Sequence, residues 1–438
     1  MNSSETHAVI VGGGFAGVAC AKQLQDHPGV RATLIDKNGF HQFQPLLYQV
    51  ATAELTPADI AFDLDEMFLA AETVKVRVAD VTAIDPAQHS VTTGTGDVIQ
   101  GDILVLAAGA QPNFFHTPGA DEFAFPLYSL PDAERLRSRI LQIFEDVAEH
   151  PALIDSGALN FVVVGAGPTG VEIAGALAEL VHDVMPHRYH DMDLSPAQVI
   201  LVDLASDPLS VFSEAAHEYA TRQLNRRGVK LQLNSSCKEV ARDHVVLSDG
   251  TVIKTHLTVW GGGEMAAPVI ADSGLPIGHG GRVDVERDLT VTGFPGVYAV
   301  GDAANIPDDD GSILPQLGSV AQQAGGWVGR NILADRSGDK HTPFEYHDKG
   351  ILAMIGRRAA VAEIGEHRHE LHGRVAFAAW LGVHAMLLAN MGAELKAFTA
   401  WAEEFYLRPH HRSAELLDPT NINTPRIHWR DDKPASKR

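Results

Sequence analysis

Two triplets of glycine, each followed by an acid, carry the clearest chemistry in this 438-residue chain. Gly12, Gly14 and Gly17 stand in the spacing Gly-x-Gly-x-x-Gly, and Asp36 closes an apolar run at 32–36. In that spacing the first glycine permits a tight turn and the second lets backbone approach a pyrophosphate. The third lets helix and strand pack closely, and an acid about twenty residues on accepts from a ribose 2′-hydroxyl. Gly165, Gly167 and Gly170 repeat the pattern, with Asp203 closing the run at 198–203. Repetition of a whole unit is more informative than either copy alone, and two units imply two dinucleotides. A third acid, Asp302, follows Gly301 at the end of the run 296–302, placed to accept hydrogen bonds from a polyol chain such as ribityl. Glu172 lies at the start of the helix expected after the second triplet. It either orients a nicotinamide or relays a proton, or it complements the helix dipole.

These residues need strands and helices to aim them. Residues 7–11 and 160–164 read as buried strands running into the two glycine turns, and Ala16, Ala19 and Ala21 keep the first helix slim. Short alternating runs from Val74 to Gly101, broken by Asp85-Pro86 and by Gly94, Gly96 and Asp97, predict a small antiparallel excursion. A further buried strand is expected at 102–109. A helix is expected over 132–148, with Leu136, Ile140, Ile143, Phe144 and Val147 on one side, and another over 319–333. Around Pro45 the segment 37–60 mixes apolar, aromatic and amide side chains, which suits the walls and edge of a flat ring such as a flavin. The run 258–264 returns the chain towards the first domain, so that domain is discontinuous, with the second inserted. The fold class is α/β with two Rossmann-like dinucleotide-binding domains, 1–115 with 281–345 and then 116–280. A C-terminal region, 346–438, supplies amphipathic helices and a polar tail.

That last region differs in kind. Residues 375–389 are uncharged, and the uncharged span reaches Ala393, the lower limit for a spanning helix; His384, Asn390 and two glycines make it a poor one. Leu395, Phe398, Trp401, Ala402 and Phe405 recur at helical spacing opposite Lys396, Glu403 and Glu404. From Leu395 onward eight Lys/Arg stand against six Asp/Glu, so the end of an acidic protein is slightly basic. The segment is either a packing or homodimer helix or one that lies on a membrane surface. A net charge of −22 argues against nucleic acid as a partner. Cys20 and Cys237 form no Cys-x-x-Cys, so neither a disulfide framework nor a redox dithiol is expected, and Cys20 is expected to serve as core. No metal site is expected. No basic and apolar leader precedes the strand at His7, so a cytoplasmic location is expected.

Four stretches together resemble one family. They are Phe43-Gln-Pro-Leu-Leu-Tyr-Gln-Val-Ala-Thr52, Gly165-Ala-Gly-Pro-Thr-Gly-Val-Glu-Ile-Ala-Gly175, Val297-Tyr-Ala-Val-Gly-Asp302 and Ile355-Gly-Arg-Arg-Ala-Ala-Val361, and residues 380–384 are similar too. To about Leu417 the chain resembles the type II NADH:quinone oxidoreductases, single-chain flavoenzymes with two dinucleotide-binding domains in a glutathione-reductase-like arrangement. The resemblance implies FAD on the first domain, with Gly12, Gly14, Gly17, Asp36, Pro45 and Asp302 at flavin positions; Val81 and Gly301 complete that set. It implies NADH on the second, with Gly165, Gly167, Gly170, Glu172 and Asp203. The activity implied is hydride transfer from NADH to flavin and then passage of two electrons to a membrane quinone without proton pumping. The protein would be held peripherally on the inner face of the cell membrane by its C-terminal helices. Glu172, Gln322 and Gln323 are the catalytic set, the two glutamines lining the quinone site. The chain departs from the family at Gly318, where a first glutamine is usual, at Ala53, where glycine is usual, and at Asp65, where a basic residue is common. Rival readings are a soluble NAD(P)H-dependent flavin reductase serving a small redox protein, or a low-turnover FAD- and NADH-binding interaction protein. A sulfide-oxidising quinone reductase would need paired cysteines near the flavin, which this chain lacks.

Overall fold

The computed structural model describes residues 5–365 and 367–387. The chain divides into two compact units, one of residues 1–42, 61–111 and 264–348, the other of 43–60, 112–263 and 349–438.

In the first unit the strand Thr6–Val11 lies between Val30–Asp36 and Ile103–Leu106, parallel to both. Val74–Val78 extends one side, and Phe294–Ala299 followed by Thr290–Val291 extends the other; only the last pair is antiparallel. Central parallel strands are covered on both faces, which is why they read as unbroken apolar runs. Ala8, Val9, Ile10 and Leu104 to Leu106 are fully buried, each larger side chain contributing about 1.5–3 kcal/mol. The helix Phe15–Leu24 follows the glycine turn, and the long helix Gly318–Ser337 packs on it. That approach depends on Gly325, because a Cβ there would lie 2.0 Å from the Ala16 carbonyl oxygen. Of the antiparallel excursion expected over 74–101, Val81–Asp85, Ser90–Thr93 and Val98–Gln100 form a three-stranded sheet, whereas Val74–Val78 pairs in parallel with Val30–Asp36 and belongs to the main sheet. Cys20 is a buried thiol, pushed by burial up to about 12.

The second unit repeats the arrangement. Its five parallel strands run in the order Ala124–Pro126, Leu257–Trp260, Asn160–Val164, Gln198–Val202, Val229–Gln232. The helix Leu130–Glu149 begins in a capping box in which Ser129 and Asp132 satisfy each other's backbone amides. After the second glycine turn comes the helix Pro168–Glu179. The same unit holds the short helix Leu47–Ala51, the antiparallel sheet Gly350–Gly356, Ala359–Ile364 and His369–Gly373, and the helix Arg374–Met386.

The compact units differ from the expected division at 43–60, 112–115 and 264–280, and the residues after 348 form no separate unit among the described residues. Residues 43–60 and the described residues after 348 group with the second glycine turn, because Leu47–Ala51 and the strand Gly350–Gly356 both pack on the helix Pro168–Glu179. A Cβ at Gly175 would sit 2.0 Å from the Ile355 carbonyl oxygen. The uncharged run expected at 375–389 is helical over Arg374–Met386. The predicted amphipathic helix bearing Leu395, Phe398, Trp401, Ala402 and Phe405 lies outside the described residues. Among the described residues no helix is long and apolar enough to cross a membrane.

Candidate functional site

Both glycine turns are built by the same two close backbone approaches and one open position. Gly12 has φ +107°, and a Cβ there would lie 2.1 Å from the Ala107 carbonyl oxygen, so the turn can pass the end of the neighbouring strand only as glycine. A Cβ at Gly17 would lie 1.8 Å from the Gly12 carbonyl oxygen. Gly14 differs, since a Cβ there would meet nothing within 4 Å. The second turn matches position by position: Gly165 at φ +101° faces Gly261, a Cβ at Gly170 would lie 1.7 Å from the Gly165 carbonyl oxygen, and Gly167 faces open space. Gly14 and Gly167 are the N-caps of their helices. The empty volume therefore lies before first-turn amides that have no partner within the helix, the polarity that attracts a pyrophosphate. The residues fit a dinucleotide at each turn.

The acids repeat as well. Asp36 accepts from Gly13 N at 2.6 Å through Oδ2 and from Asn38 N at 2.7 Å through Oδ1. Asp203 accepts from Ala166 N through Oδ2 and from Ala205 N at 2.6 Å through Oδ1. Each carboxylate is locked to its glycine loop yet keeps lone pairs for ribose hydroxyls. Burial raises Asp36 above the usual carboxylate value, against the pull of the Gly13 and Asn38 amides.

In the first unit Gly301, at φ +64°, packs between Ala16 and Ala321, so the next residue, Asp302, sits beside the start of the glycine-turn helix. Burial pushes Asp302 up to about 6, with the Arg282 guanidinium opposing. No hydrogen bond reaches its carboxylate among the described residues, and a polyol would supply one. Val81 is a half-buried residue opening the antiparallel excursion. Gln322 and Gln323 part company on the helix Gly318–Ser337. Gln323 donates to the His347 carbonyl at 3.1 Å and accepts from His347 N at 3.0 Å, so its amide is committed to backbone. Gln322 is exposed. Gly318 lies against the Phe15 ring, a Cβ there being 3.4 Å from it.

In the second unit Pro45 is the middle residue of the turn Gln44–Leu46 ahead of Leu47–Ala51. Ala53 takes φ +61°, the left-handed conformation for which glycine is the easier residue. Glu172 sits in a cleft lined by Tyr48, Glu54, Ala176, Glu179, Met354, Gly356 and Arg357. Its Oε1 accepts from Met354 N at 3.1 Å and from the Trp380 indole at 3.3 Å. Burial nevertheless pushes Glu172 up to about 8.

Sequence reasoning missed His41, whose Nδ1 meets the Gly13 carbonyl at 2.9 Å and whose ring stands edge-on to Phe15 at 5.2 Å. It also missed Met354 and Tyr48 as neighbours of Glu172. Only the proximity of His41 to Pro45 in an amide-rich segment hinted at the first, and no spacing rule connects positions 48, 172 and 354. Among the described residues no group of three or more His, Cys, Asp or Glu is placed to hold a metal.

A family model described as pyridine nucleotide-disulphide oxidoreductase matches residues 6–325. The type II NADH:quinone oxidoreductase Ndh of Mycobacterium tuberculosis is 35% identical over 413 residues, 91% of this chain and 87% of that protein. NdhA of the same organism is 36% identical over 420 residues, 93% of this chain and 88% of that one. Among solved structures, NDH2 from Plasmodium falciparum in complex with NADH superposes with a TM-score of 0.85 at 17% identity, over 93% of this chain and 100% of that one.

Proposed function

The chain belongs to the type II NADH:quinone oxidoreductases, flavoproteins of the pyridine nucleotide-disulphide oxidoreductase group, and from that premise we propose a division of labour among its residues. The protein is an FAD-dependent oxidoreductase that moves a hydride from NADH to the flavin and then two electrons to a quinone, without pumping protons. Bound FAD supplies the acceptor for the hydride and the source of the electron pair. The repeated turn carries the reading, because two glycine cradles, each with an acid locked to the loop, suit two dinucleotides.

We assign FAD to Gly12, Gly14, Gly17, Asp36 and Asp302, with Gly301 and Val81, all in the first unit, and the sequence resemblance adds Pro45 to that set. We assign NADH to Gly165, Gly167, Gly170 and Asp203 in the second unit. Holding both partners in place accounts for most of the acceleration, since a bound pair is spared the entropy of encounter. Glu172 is assigned to proton transfer rather than to the helix dipole. A carboxyl raised to about 8 keeps its proton at neutral pH and so lends no charge to the helix end. Gln322, with its exposed side chain, is assigned to the quinone carbonyl; Gln323 is assigned to holding the segment around His347.

The test is anaerobic reduction by NADH followed by rapid mixing with short-chain quinones. Flavin reoxidation much faster with quinone than with dissolved oxygen is the expected result, and equal rates would remove the quinone assignment. We assign the residues from Leu395 onward to peripheral attachment at the inner face of the cell membrane, supported by the spacing of Phe398, Trp401 and Phe405. Truncation there should abolish flotation with anionic vesicles; a truncated protein that still floats, or one that changes only from dimer to monomer, would assign the segment to self-association instead.

A further inference from the structure

A carboxyl that relays a proton has to present the correct oxygen. We propose that Trp380 is a positioning residue that, together with the Met354 amide, fixes Glu172 so that its transferable proton resides on Oε2. The proposal rests on the reading of Glu172 as a proton relay.

The argument begins with two donors on one acceptor. Met354 N–H, at 3.1 Å, and the indole Nε1–H of Trp380, at 3.3 Å, both point at Oε1. In a neutral carboxyl the carbonyl oxygen is the far better acceptor, so two N–H groups on one oxygen make Oε1 the carbonyl oxygen and leave the hydrogen on Oε2. The two donors come from different elements, the strand Gly350–Gly356 and the helix Arg374–Met386, so the carboxyl is held from two directions.

Trp380 is itself immobilised. It is fully buried, and His384 stacks on it at 3.9 Å and 21° between planes. One helical turn separates the two, so they share a face. His384 meets the Trp380 carbonyl through Nδ1 at 2.8 Å, and Phe43 stands edge-on to the imidazole at 6.2 Å. Tyr48 meets the other ring edge-on at 6.4 Å, its hydroxyl bonded to the Met354 sulfur at 3.2 Å. Burial lowers His384 to about 4, so the stack is neutral and adds no charge near Glu172. The other titratable groups facing the cleft are Tyr48, held far above its usual value by burial, and Glu54, Glu179 and Arg357; Glu179 is paired with Arg227 at 3.0 Å.

The proton balance is simple. NADH, one proton and quinone give NAD⁺ and quinol, so each turnover takes one proton from water. The O–H bond at Oε2 breaks as that proton passes to a quinone oxygen, and the carboxylate left behind is reprotonated from solvent. While it is ionised, the same two N–H groups stabilise it.

Replacing the indole N–H therefore has a signed effect. Trp380→Phe keeps an aromatic ring against His384 and removes one donor to the ionised form, so Glu172 should titrate about one pH unit higher. In the FAD-loaded enzyme this is read by infrared titration of the Glu172 carboxyl band, assigned by its loss in Glu172→Gln. The alkaline limb of the kcat profile should move up by the same amount, and Trp380→Phe should move nothing in the Glu172→Gln background. An unmoved band in Trp380→Phe overturns the proposal, and so does a shift that persists without Glu172. If Trp380→Phe does not fold, an isosteric benzothienyl side chain at position 380 removes the N–H alone, with the same outcomes expected. The relay reading fails separately, if Glu172→Gln leaves the alkaline limb intact; the band titration then still decides the contact.

Discussion

Alanine at Gly14 separates what the glycine turn does for folding from what it does for binding. The added methyl would meet no heavy atom within 4 Å, and Gly14 has φ −77°, a value any residue adopts. The folded protein should therefore lose only the difference between glycine and alanine as a helix N-cap, about 1 kcal/mol. The same methyl occupies the volume before the helix's first-turn amides. Blocking one charge-assisted hydrogen bond from an amide to a pyrophosphate costs about 1.5–3 kcal/mol, which weakens FAD binding roughly ten- to a hundred-fold. Alanine at Gly17 should do the opposite, because its Cβ would lie 1.8 Å from the Gly12 carbonyl oxygen, a backbone atom that cannot swing aside. Overpacking there should cost about 3 kcal/mol or more and lower Tm together with flavin content. Purified variants are compared by flavin absorbance, by FAD titration of stripped protein and by thermal unfolding. Gly167→Ala should keep FAD and weaken NADH alone. A Gly14→Ala protein that binds FAD as tightly as the parent would refute the argument that the open volume is the pyrophosphate cradle.

NADH should be preferred over NADPH in kcat/KM, since Asp203 repels a 2′-phosphate and the following Leu204, Ala205 and Ser206 bring no cation; equal values would remove Asp203 from the ribose site. His341 lies 2.9 Å from Asp288 and 2.8 Å from Asp335, and the two carboxylates outweigh its burial and raise its pKa above 6.5. Its contribution to stability is thus fully present below pH 6.5 and is lost as pH rises through the higher folded value. Calorimetry should show this alkaline loss of Tm flattened in His341→Gln, and an unchanged slope would count against it. Gly318→Gln should improve quinone KM about five-fold through one restored hydrogen bond of about 1 kcal/mol, as a Cβ there only touches Phe15. An unchanged KM would place position 318 outside the quinone site.

The glycine turns, their acids and the flanking strands were legible because each is local: a dozen neighbouring residues determine the turn, and the strand apolarity follows from burial on both faces. The environment of Glu172 was not. Its donors lie 182 and 208 residues further along the chain, and nothing in helical or strand periodicity links such distant positions. The grouping of 43–60 with the second unit escaped for the same reason: the packing of Leu47–Ala51 on Pro168–Glu179 has no local signature. Gln322 and Gln323 looked equivalent as neighbours in sequence. Successive helical residues point about 100° apart, and only the structure shows which one meets His347.

The order of the first sheet also bears on how this protein is made. Ile103–Leu106 pairs on one side with Thr6–Val11 and on the other with Phe294–Ala299. On the ribosome the first partner is present when this strand emerges, but the second lies 188 residues later, counting from 106 to 294. At about 5–20 residues per second the edge of a four-residue, wholly apolar strand stays open for roughly 10–40 s, long enough to recruit a strand from a neighbouring nascent chain. Yield should therefore depend on translation speed and on holdase chaperones more than the finished protein's stability would suggest.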